Sequence, residues 1–479
     1  MGGKGGFWQV LYFPRGRFLF PPGFVFVGVP RQPPGVLLMA VPAQVAEVAV
    51  ARRVARLAGH VAGLRPVDAN AAVVRRAASA ALDGDAGGAR VFVMAAARTP
   101  MGAFQGALAH VQAPELGALA IKAALEKAGV APAAVDTCVM GNVLSAGVGQ
   151  APARQAALLA GLPTSTCCTT VNKVCSSGLK AVTMCAQAIK LGESRVAVCG
   201  GFESMSNAPY LLPNARQGYR MGNQAVSDSM LRDGLWDPLG DRHMGSIAEG
   251  TARARGISRE RQDAHALRSF ERARAAQAKG SFDDEVVGVP GKPAKRGAEA
   301  PLVSRDEPPD TADLSRLPSL RPAFAKDGTV TAGNASVIAD GAAALVLGDA
   351  SAPGERVARI LAWADAELDP SDFPIAPSSA VKLALARAKL APSDIDAWEI
   401  NEAFSAVDIA NKELIGLAED APHVNADGGG VALGHPIGAS GARILVTLLG
   451  VLKRRGGRRG VAAICNGGGG STAVVVELL

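Results

Sequence analysis

Two cysteines, one histidine and one asparagine of this chain lie in glycine-rich or turn-like segments, where their side chains can perform acyl-transfer chemistry. Cys175, in NKVCSSGLKAV, follows an apolar stretch and directly precedes an apolar helical pattern. A thiol at a helix N-terminus faces unpaired backbone N–H groups and the positive end of the helix dipole, which lower its pKa. A cysteine without such a setting is more often a small buried hydrophobe, so the setting favours a nucleophile.

The other three residues supply the partners that a thiol nucleophile needs. In GGGVALGHPIGASGAR, glycines flank His435 and a proline follows it, which favours a fixed general base. Cys465 begins CNGGGG, whose backbone N–H groups can point at an anion, although a glycine loop alone is weak evidence. Asn401, in EINEAF, follows a short apolar strand pattern, and a buried amide can orient a water or an oxyanion.

These residues must be positioned by alternating strands and helices. From Val91, VFVMAAARTP predicts a buried strand that leads into a loop. The apolar spacing of PELGALAIKAALEKAG predicts a helix over 114–129 that ends at its glycine. A strand at 135–140 and a helix at 151–160 follow. This alternation predicts an α/β fold with a mainly parallel sheet.

Two stretches of the chain, 176–201 and 439–468, share one pattern. Each has Ser-Gly opening an apolar helix, then basic residues, a short strand, a cysteine and a glycine loop. The pattern predicts two duplicated βαβ halves with active-site loops at equivalent strand ends, although two generic βαβ units can match by chance. Between them, residues 205–330 predict an inserted loop region over the core, with charged helices near 244–280.

Charge and cysteine usage exclude several classes of protein. The chain has 479 residues and a formal charge of +7. Residues 1–90 contain 11 basic and 4 acidic residues, so the remainder carries 39 of each and is neutral. A neutral body lacks the basic footprint of a nucleic-acid binder. The seven cysteines form no CxxC pair, which argues against structural zinc and favours reduced thiols inside the cell.

The N-terminal extension, residues 1–90, has its own character. Prolines interrupt the apolar residues of segment 1–40, so we expect no membrane-spanning helix and no membrane partner. Segment 39–82 is rich in alanine and arginine in an amphipathic pattern, which is typical of an organelle transit peptide. We therefore expect a mitochondrial location, with a disordered leader and a cytoplasmic protein as the alternative.

From Val91 to Leu479 the sequence resembles the thiolase family. The motifs ARTPMGAF, MGNVLSAGVGQAPARQAAL, GGFESMSNAPYLL, DGTVTAGNAS and DGAAAL occur in the family's order, around the four motifs above. The resemblance implies an α/β thiolase fold, in which two duplicated halves stack as five layers, α-β-α-β-α, with an inserted loop domain. The implied domains are 91–351, including the loop domain at about 205–330, and 352–479.

The resemblance also implies roles for single residues. Cys175 corresponds to the acylated nucleophile, and His435 to the base that activates it and then the leaving thiol of coenzyme A. Cys465 corresponds to the acid/base at the α-carbon of the second acyl-CoA. Asn401 corresponds to the residue that holds a catalytic water, which forms one oxyanion site with His435. The backbone N–H groups of Cys175 and Gly467 correspond to the other.

The implied activity is reversible condensation of two acetyl-CoA molecules to acetoacetyl-CoA and coenzyme A, without a metal or other cofactor. The motif HMG, after GLWD, resembles the short-chain branch of the family, which is usually tetrameric, and Met244 is expected to limit acyl length. Phe202, Asp427 and Ser405 depart from the family pattern, and Asp427 is expected to shift the pKa of His435. The positions that correspond to the CoA and acyl pocket are Leu235, His243, Met244, Phe324, Ala332, Ser336, Ala403 and Phe404.

Three alternatives stay open at this point. The nearest is a broad-range 3-ketoacyl-CoA thiolase of fatty-acid oxidation. A ketoacyl carrier-protein synthase matches CNGGGG poorly. A noncatalytic CoA-binding or lipid-transfer protein on the same fold would be favoured by loss of Cys175, His435 or Cys465, and all three are present.

Overall fold

The computed structural model describes residues 90–479 except 294, 296 and 297. The predicted transit peptide and the proline-interrupted apolar segment fall on residues 1–89 and lie outside the described residues. Among the residues that are described, no helix has both the length and the apolar character needed to cross a bilayer.

The chain begins with alternating strands and helices, as predicted. The helix expected at 114–129 runs from Ala113 to Ala128, and Gly129 caps it in the left-handed region with φ 61°. The elements are β1 (Phe92–Arg98), α1 (Ala113–Ala128), β2 (Thr137–Gly141), α2 (Pro152–Leu159), β3 (Cys167–Val171), α3 (Ser177–Lys190) and β4 (Val196–Ser204).

An insertion with little regular sheet follows β4. It contains two long helices, short two-residue strand pairs and a one-turn helix, and it ends where β5 returns to the sheet. The helices pack against the second half of the chain. Its bounded elements are the pairs Tyr210–Leu211 with Ser227–Asp228, Trp236–Asp237 with Arg242–His243, and Val289–Pro290 with Leu302–Val303, then α4 (Met244–Ala254), α5 (Arg259–Ala278), the one-turn helix Glu307–Thr311 and β5 (Ala339–Gly348).

The second half repeats the first in a shorter form. A one-turn helix at Gly430–Leu433 precedes its longest helix. Its other elements are β6 (Ala358–Glu367), α6 (Ala376–Ala388), β7 (Ala397–Ile400), α7 (Ser405–Ile415), α8 (Ser440–Arg455), β8 (Arg459–Asn466) and β9 (Gly470–Leu478).

Sheet topology confirms the duplication that the sequence pattern predicts. The first half has the strand order β3-β2-β4-β5-β1, and the second has β7-β8-β9-β6, which is the same order without its first strand. A parallel bridge from Trp398 to Val424 stands where that strand would be. The halves join edge to edge where β1 pairs with β6, through Phe92–Arg359 and Val93–Ala358.

The expectation of a mainly parallel sheet is wrong. Only the pairs β2–β3, β2–β4 and β7–β8 are parallel, and the other long pairs are antiparallel. The physical reason is the connections: β8 returns as β9 through a tight glycine turn, and β5 arrives from the insertion rather than from a crossover helix.

Five layers form because both long helices that begin with Ser-Gly share the middle of the molecule. Helix α3 packs on β4 and β2, α8 packs on β8 and β7, and the two helices contact each other. Outside them, α1 covers the first sheet and α6 covers the second. A Cβ on Gly178 would lie 2.8 Å from Ala442 N, and one on Gly441 would lie 2.5 Å from Leu179 N. Only glycine permits this approach of two helix N-termini.

A buried ion network ties the insertion to the first strand. Arg98 Nε donates to Glu285 at 2.6 Å, and its two terminal nitrogens donate to the carboxylate of Asp306 at 2.7 and 3.0 Å. The Arg98 side chain is fully buried, so its charge depends on these partners. Asp306 also accepts the backbone N–H of Met101 at 2.7 Å. The network therefore joins the loop after β1 to two points of the insertion, Glu285 and Asp306.

Replacing Arg98 with methionine is expected to leave two buried carboxylates without their cation. The free energy of unfolding should fall by about 3–5 kcal/mol, the usual cost of breaking a buried pair from one side. Arg359→Met is the control, because this arginine is 35% exposed and its partner Glu477 keeps Arg458 and Arg459. Its cost should stay below about 1 kcal/mol. Urea denaturation measures both, and equal midpoints would contradict the prediction.

Candidate active site

Cys175 lies on a strained turn between β3 and α3. Val174 has φ 46°, a left-handed conformation that a β-branched residue rarely adopts. Hydrogen bonds hold it there: Asn172 Oδ1 accepts the Val174 N–H at 2.9 Å, and Ser177 Oγ donates to the Val174 carbonyl at 2.5 Å. Such strain clusters at functional sites, where the surrounding structure maintains it. The turn places the thiol of Cys175 ahead of the helix rather than within it.

The Cys175 thiol is neutral in this environment, contrary to the expectation from its place at a helix N-terminus. Burial against Leu144, Met230 and Ile437 raises its pKa to about 12. The backbone N–H groups of Gly467 and of Cys175 itself act in the opposite direction, but they are weaker than burial. Desolvation of the thiolate therefore outweighs the helix terminus. Both N–H groups lie close enough to the sulfur to favour its thiolate, and the oxyanion site that they are expected to form stays a prediction.

His435 is 5% exposed and its tautomer is fixed by a serine. Ser440 Oγ donates to the carbonyl of Pro436 at 2.9 Å, so it must accept from His435 Nδ1, which lies 2.6 Å away. The proton is then on Nδ1, and Nε2 carries the free lone pair. Burial, followed by the charge of Arg443, lowers the pKa of His435 to about 3. His435 is therefore a neutral base with Nε2 ready to accept a proton.

The expected influence of Asp427 on His435 is wrong. Asp427 forms an ion pair with Arg454 on α8, and the groups that shift the pKa of His435 do not include it. The two residues are close in sequence but not in space, because the chain turns at the glycines between them, Gly428 and Gly434.

Cys465 lies near the end of β8, just before the glycine turn. It is fully buried among Met244, Ala403 and Phe404. Burial, followed by the neighbouring thiol of Cys175, raises its pKa well above the usual range. The two thiols are thus close enough to interact, although 290 positions separate them in the chain.

Asn401 lies beside the base. Its Nδ2 is 3.5 Å from His435 Nε2, a long contact, and its Oδ1 is buried without a hydrogen-bond partner among the described residues. A buried carbonyl oxygen of this kind is suited to accept a hydrogen bond from a water or a substrate group. The amide and the imidazole together offer a buried polar corner.

Most of the predicted pocket residues gather around Cys465. His243 stacks on Phe324 with ring centroids 4.7 Å apart, and Phe324 meets Phe404 edge-on at 6.3 Å. Met244 Cε lies 3.6 Å from a Cβ built on Gly467, so this side chain borders the glycine loop.

The remaining predicted pocket residues are less uniform. Leu235 packs in the apolar cluster that includes Cys175, and Ala403 packs beside Cys465. The Ser336 N–H donates to the Ala403 carbonyl at 3.0 Å, so this serine supports the pocket wall. Ala332 is exposed and lies outside these clusters.

Sequence reasoning missed Glu203, a fully buried carboxylate on β4. It accepts the N–H groups of Val143, Leu144 and Gly438 at 2.9–3.1 Å and the Asn142 amide at 2.7 Å. Burial raises its pKa to about 7 despite these donors. The carboxylate joins the loop after β2 to the loop that carries His435. An acid within an otherwise apolar strand, GGFES, was the available signal.

A second missed group lies behind Asn401. His265 on α5 contacts Ser405 Oγ at 3.1 Å and Asp408 Oδ2 at 2.8 Å, and Glu402 Oε1 is 3.5 Å from the same ring. These three ionisable side chains have the spacing of metal ligands. The Lys412 ammonium, 2.6 Å from Asp408, already supplies a cation. The group is therefore a buried ion network that fixes the loop of Asn401.

The protonation states predict how Cys175 should react with iodoacetamide. With a thiol pKa near 12, the alkylation rate should rise about tenfold per pH unit between about pH 7 and 10, because the thiolate is the nucleophile. His435 stays neutral over this range and should add no step. Mass spectrometry at each pH measures labelling of Cys175, with Cys175→Ala as control. A plateau from neutral pH upward would indicate a preformed thiolate and contradict this picture.

Comparisons with known proteins agree with this arrangement. The family model described as "Thiolase, N-terminal domain" matches residues 91–351, and "Thiolase, C-terminal domain" matches residues 355–478. "Acetyl-CoA acetyltransferase 2" of Arabidopsis thaliana is 52% identical over 398 residues, which covers 81% of this chain and 97% of that protein. "Acetyl-CoA acetyltransferase, mitochondrial" of Xenopus tropicalis is 48% identical over 394 residues, which covers 81% of this chain and 92% of that protein.

A cytosolic relative and a solved structure extend the comparison. "Acetyl-CoA acetyltransferase ERG10, cytosolic" of Gibberella zeae is 49% identical over 81% of this chain and 98% of its own length. The crystal structure of the Acat5 thiolase from Ascaris suum, in complex with coenzyme A, is 41% identical with a TM-score of 0.76 over 81% of this chain and all of that one. Family models, relatives and fold agree, and the chain belongs to the thiolase family.

Proposed function

We propose that this protein is an acetyl-CoA C-acetyltransferase, which condenses two acetyl-CoA molecules reversibly to acetoacetyl-CoA and coenzyme A through an acetyl-Cys175 intermediate. The observation that carries the proposal is a second, fully buried thiol, Cys465, that neighbours Cys175, together with the buried imidazole of His435. One thiol alone suffices for acyl transfer. A second buried thiol beside it suits a second proton transfer, at carbon.

In the first half-reaction, Cys175 Sγ attacks the thioester carbonyl of acetyl-CoA while its proton passes to His435 Nε2. The oxyanion accepts hydrogen bonds from the N–H groups of Cys175 and Gly467, the two groups that also favour the Cys175 thiolate. Breaking the carbon–sulfur bond then releases coenzyme A, which takes the proton from His435. Because thiol and imidazole start neutral, charge separates only as the transition state forms, where the two N–H groups stabilise it.

In the second half-reaction, Cys465 passes its proton to His435 Nε2 and, as a thiolate, removes a proton from the methyl carbon of a second acetyl-CoA. The imidazolium can then donate to the enolate and finally returns its proton to the leaving Cys175 thiolate. The enolate oxygen needs donors at once, because such an enolate is too basic to persist in water. His435 and a water held by Asn401 are placed to serve it, since Asn401 Nδ2 lies 3.5 Å from His435 Nε2. The enolate carbon attacks acetyl-Cys175, and the Cys175 thiolate leaves as acetoacetyl-CoA forms. Thiolysis is the reverse.

We further propose that Met244 restricts the enzyme to short acyl chains. Met244 is buried beside Cys465 and borders Gly467, so it occupies the space into which a longer acyl chain would extend. The two aromatic contacts of Phe324 fix this ring between His243 and Phe404. The broad-range 3-ketoacyl-CoA thiolase is the alternative that the chain-length experiment below decides.

Assembly and location are proposed on narrower grounds. The homotetramer follows from the resemblance of HMG to the short-chain branch. Relatives named mitochondrial and cytosolic are about equally similar, so they do not resolve the compartment. The alanine- and arginine-rich pattern of segment 39–82 supports a mitochondrial location.

The division of labour between the thiols is testable with Cys465→Ser. A serine hydroxyl keeps the shape but has a pKa too high for proton transfer, so condensation and thiolysis should fall by roughly 10²–10⁴-fold. Acetyl uptake onto Cys175 should persist, measured with radiolabelled acetyl-CoA and exchange with free coenzyme A. Cys175→Ala, the control, should abolish all three. Loss of acetyl uptake in Cys465→Ser would place Cys465 in the acylation step instead.

The chain-length limit is testable with Met244→Gly. The wild type should cleave a four-carbon 3-ketoacyl-CoA far better than an eight-carbon one. The variant should raise kcat/KM for the eight-carbon substrate by about tenfold or more, because a single methylene in an apolar pocket changes kcat/KM by at least about that factor. Ile247→Ala is the control. Ile247 is buried in the same cluster as Met244, but it is not among the side chains nearest to Gly467, which are Met244 and Val174. Comparable wild-type rates on both substrates would support the broad-range alternative.

A further inference from the structure

Lys173, two residues before the nucleophile, reaches across to the other half of the molecule. Its Nζ lies 2.9 Å from Asp365 Oδ1 and 3.1 Å from Glu367 Oε1, both on β6. The same ammonium donates to the carbonyl of Ser471 at 3.1 Å, on β9. Ser471 stands four residues after Gly467, just beyond the glycine turn. One side chain therefore joins the Cys175 turn to the hairpin that carries Gly467.

The acceptor side of this contact is held rigidly. Asp365 also accepts Lys180 Nζ at 2.7 Å and Thr472 Oγ1 at 2.6 Å. Burial alone would raise the pKa of Asp365, but Lys180, Thr472 and Lys173 lower it to about 2. The carboxylate is therefore ionised at neutral pH, with three donors around it.

At its other end, Lys173 belongs to the strained turn itself. Its backbone N–H donates to Ser177 Oγ at 2.8 Å, and the same hydroxyl donates to the carbonyl of Val174. The backbone of Lys173 is thus fixed to the turn that aims Cys175. Its side chain, 18% exposed, is fixed to the second half.

We infer that Lys173 is a positioning residue that sets the separation between the N–H groups of Cys175 and Gly467, and so assembles the oxyanion site for the acyl carbonyl. The inference rests on the proposed function. The two donors come from different halves, so their spacing depends on contacts between the halves. An oxyanion site works only when its donors are already in place, and a displacement of about 1 Å can cost roughly 10²-fold in rate.

Lys173→Met tests this directly, because it keeps the length of the side chain and removes the ammonium. The rate of Cys175 acetylation by acetyl-CoA should fall by about 10- to 100-fold, with KM little changed, since the substrate pocket is untouched. Lys173→Arg should recover part of the loss, because it keeps the charge. Asp365→Asn should reproduce the loss from the other side.

Lys180→Met is the matched control. Lys180 binds the same carboxylate, is similarly exposed and lies on α3, but it does not bond to Ser471. Partly exposed ion pairs contribute little to the free energy of unfolding, so both variants should melt close to the wild type. An equal loss of acetylation rate in Lys180→Met would overturn the assignment of Lys173.

Alkylation separates positioning of the donors from collapse of the turn. Iodoacetamide needs the Cys175 thiolate but no oxyanion site, so alkylation of Lys173→Met should fall much less than acetylation, by no more than the loss of the Gly467 N–H that lowers the pKa of Cys175. A parallel fall in alkylation and acetylation would overturn the inference, as would wild-type acetylation in Lys173→Met. If the wild type itself forms no acetyl-Cys175, the proposed function fails and this inference with it.

Discussion

The close crossing of two helix N-termini, at Gly178 on α3 and Gly441 on α8, is the constraint on which the site depends. A single methyl group at either position would collide with the backbone of the other helix. The crossing puts the middle layer between the two sheets and brings the segments before both helices face to face. Those segments carry Cys175 in one half and His435 in the other. The packing of the two helices in the core therefore also brings these residues into one site.

Electrostatics follows from that burial. The site keeps its thiols and its imidazole neutral, because desolvation outweighs the helix terminus at Cys175, and because desolvation and the charge of Arg443 both lower the pKa of His435. In the proposed reaction, charge appears only with the substrate, and the donors that receive it are backbone N–H groups at the acyl carbonyl and, at the enolate, the protonated imidazole and a water held by Asn401. A preformed ion pair would stabilise the free enzyme instead of the transition state.

Buried charges away from the reacting atoms hold the loops that carry them. Arg98 joins the insertion to β1, Glu203 joins the loop after β2 to the loop of His435, and His265 with Asp408 supports the loop of Asn401. Lys173 adds a contact across the halves. Each network links segments that are far apart in sequence, because flexible loops are positioned by polar contacts where no continuous apolar packing is available.

The sequence by itself determined the elements and the duplication and indicated the candidate reacting side chains, since periodicity, Ser-Gly helix starts and glycine-flanked motifs are local signals. It did not determine strand direction, because the spacing of apolar residues does not show how the segments between strands return to the sheet. It also predicted the wrong protonation state for Cys175 and a wrong influence for Asp427, since pKa depends on burial and on spatial neighbours. The roles of Glu203, His265 and Lys173 became visible only in the tertiary structure, because their contacts join elements that are distant in the chain. The contact of Ser440 with His435 depends on how the backbone turns between them, which the sequence alone does not give.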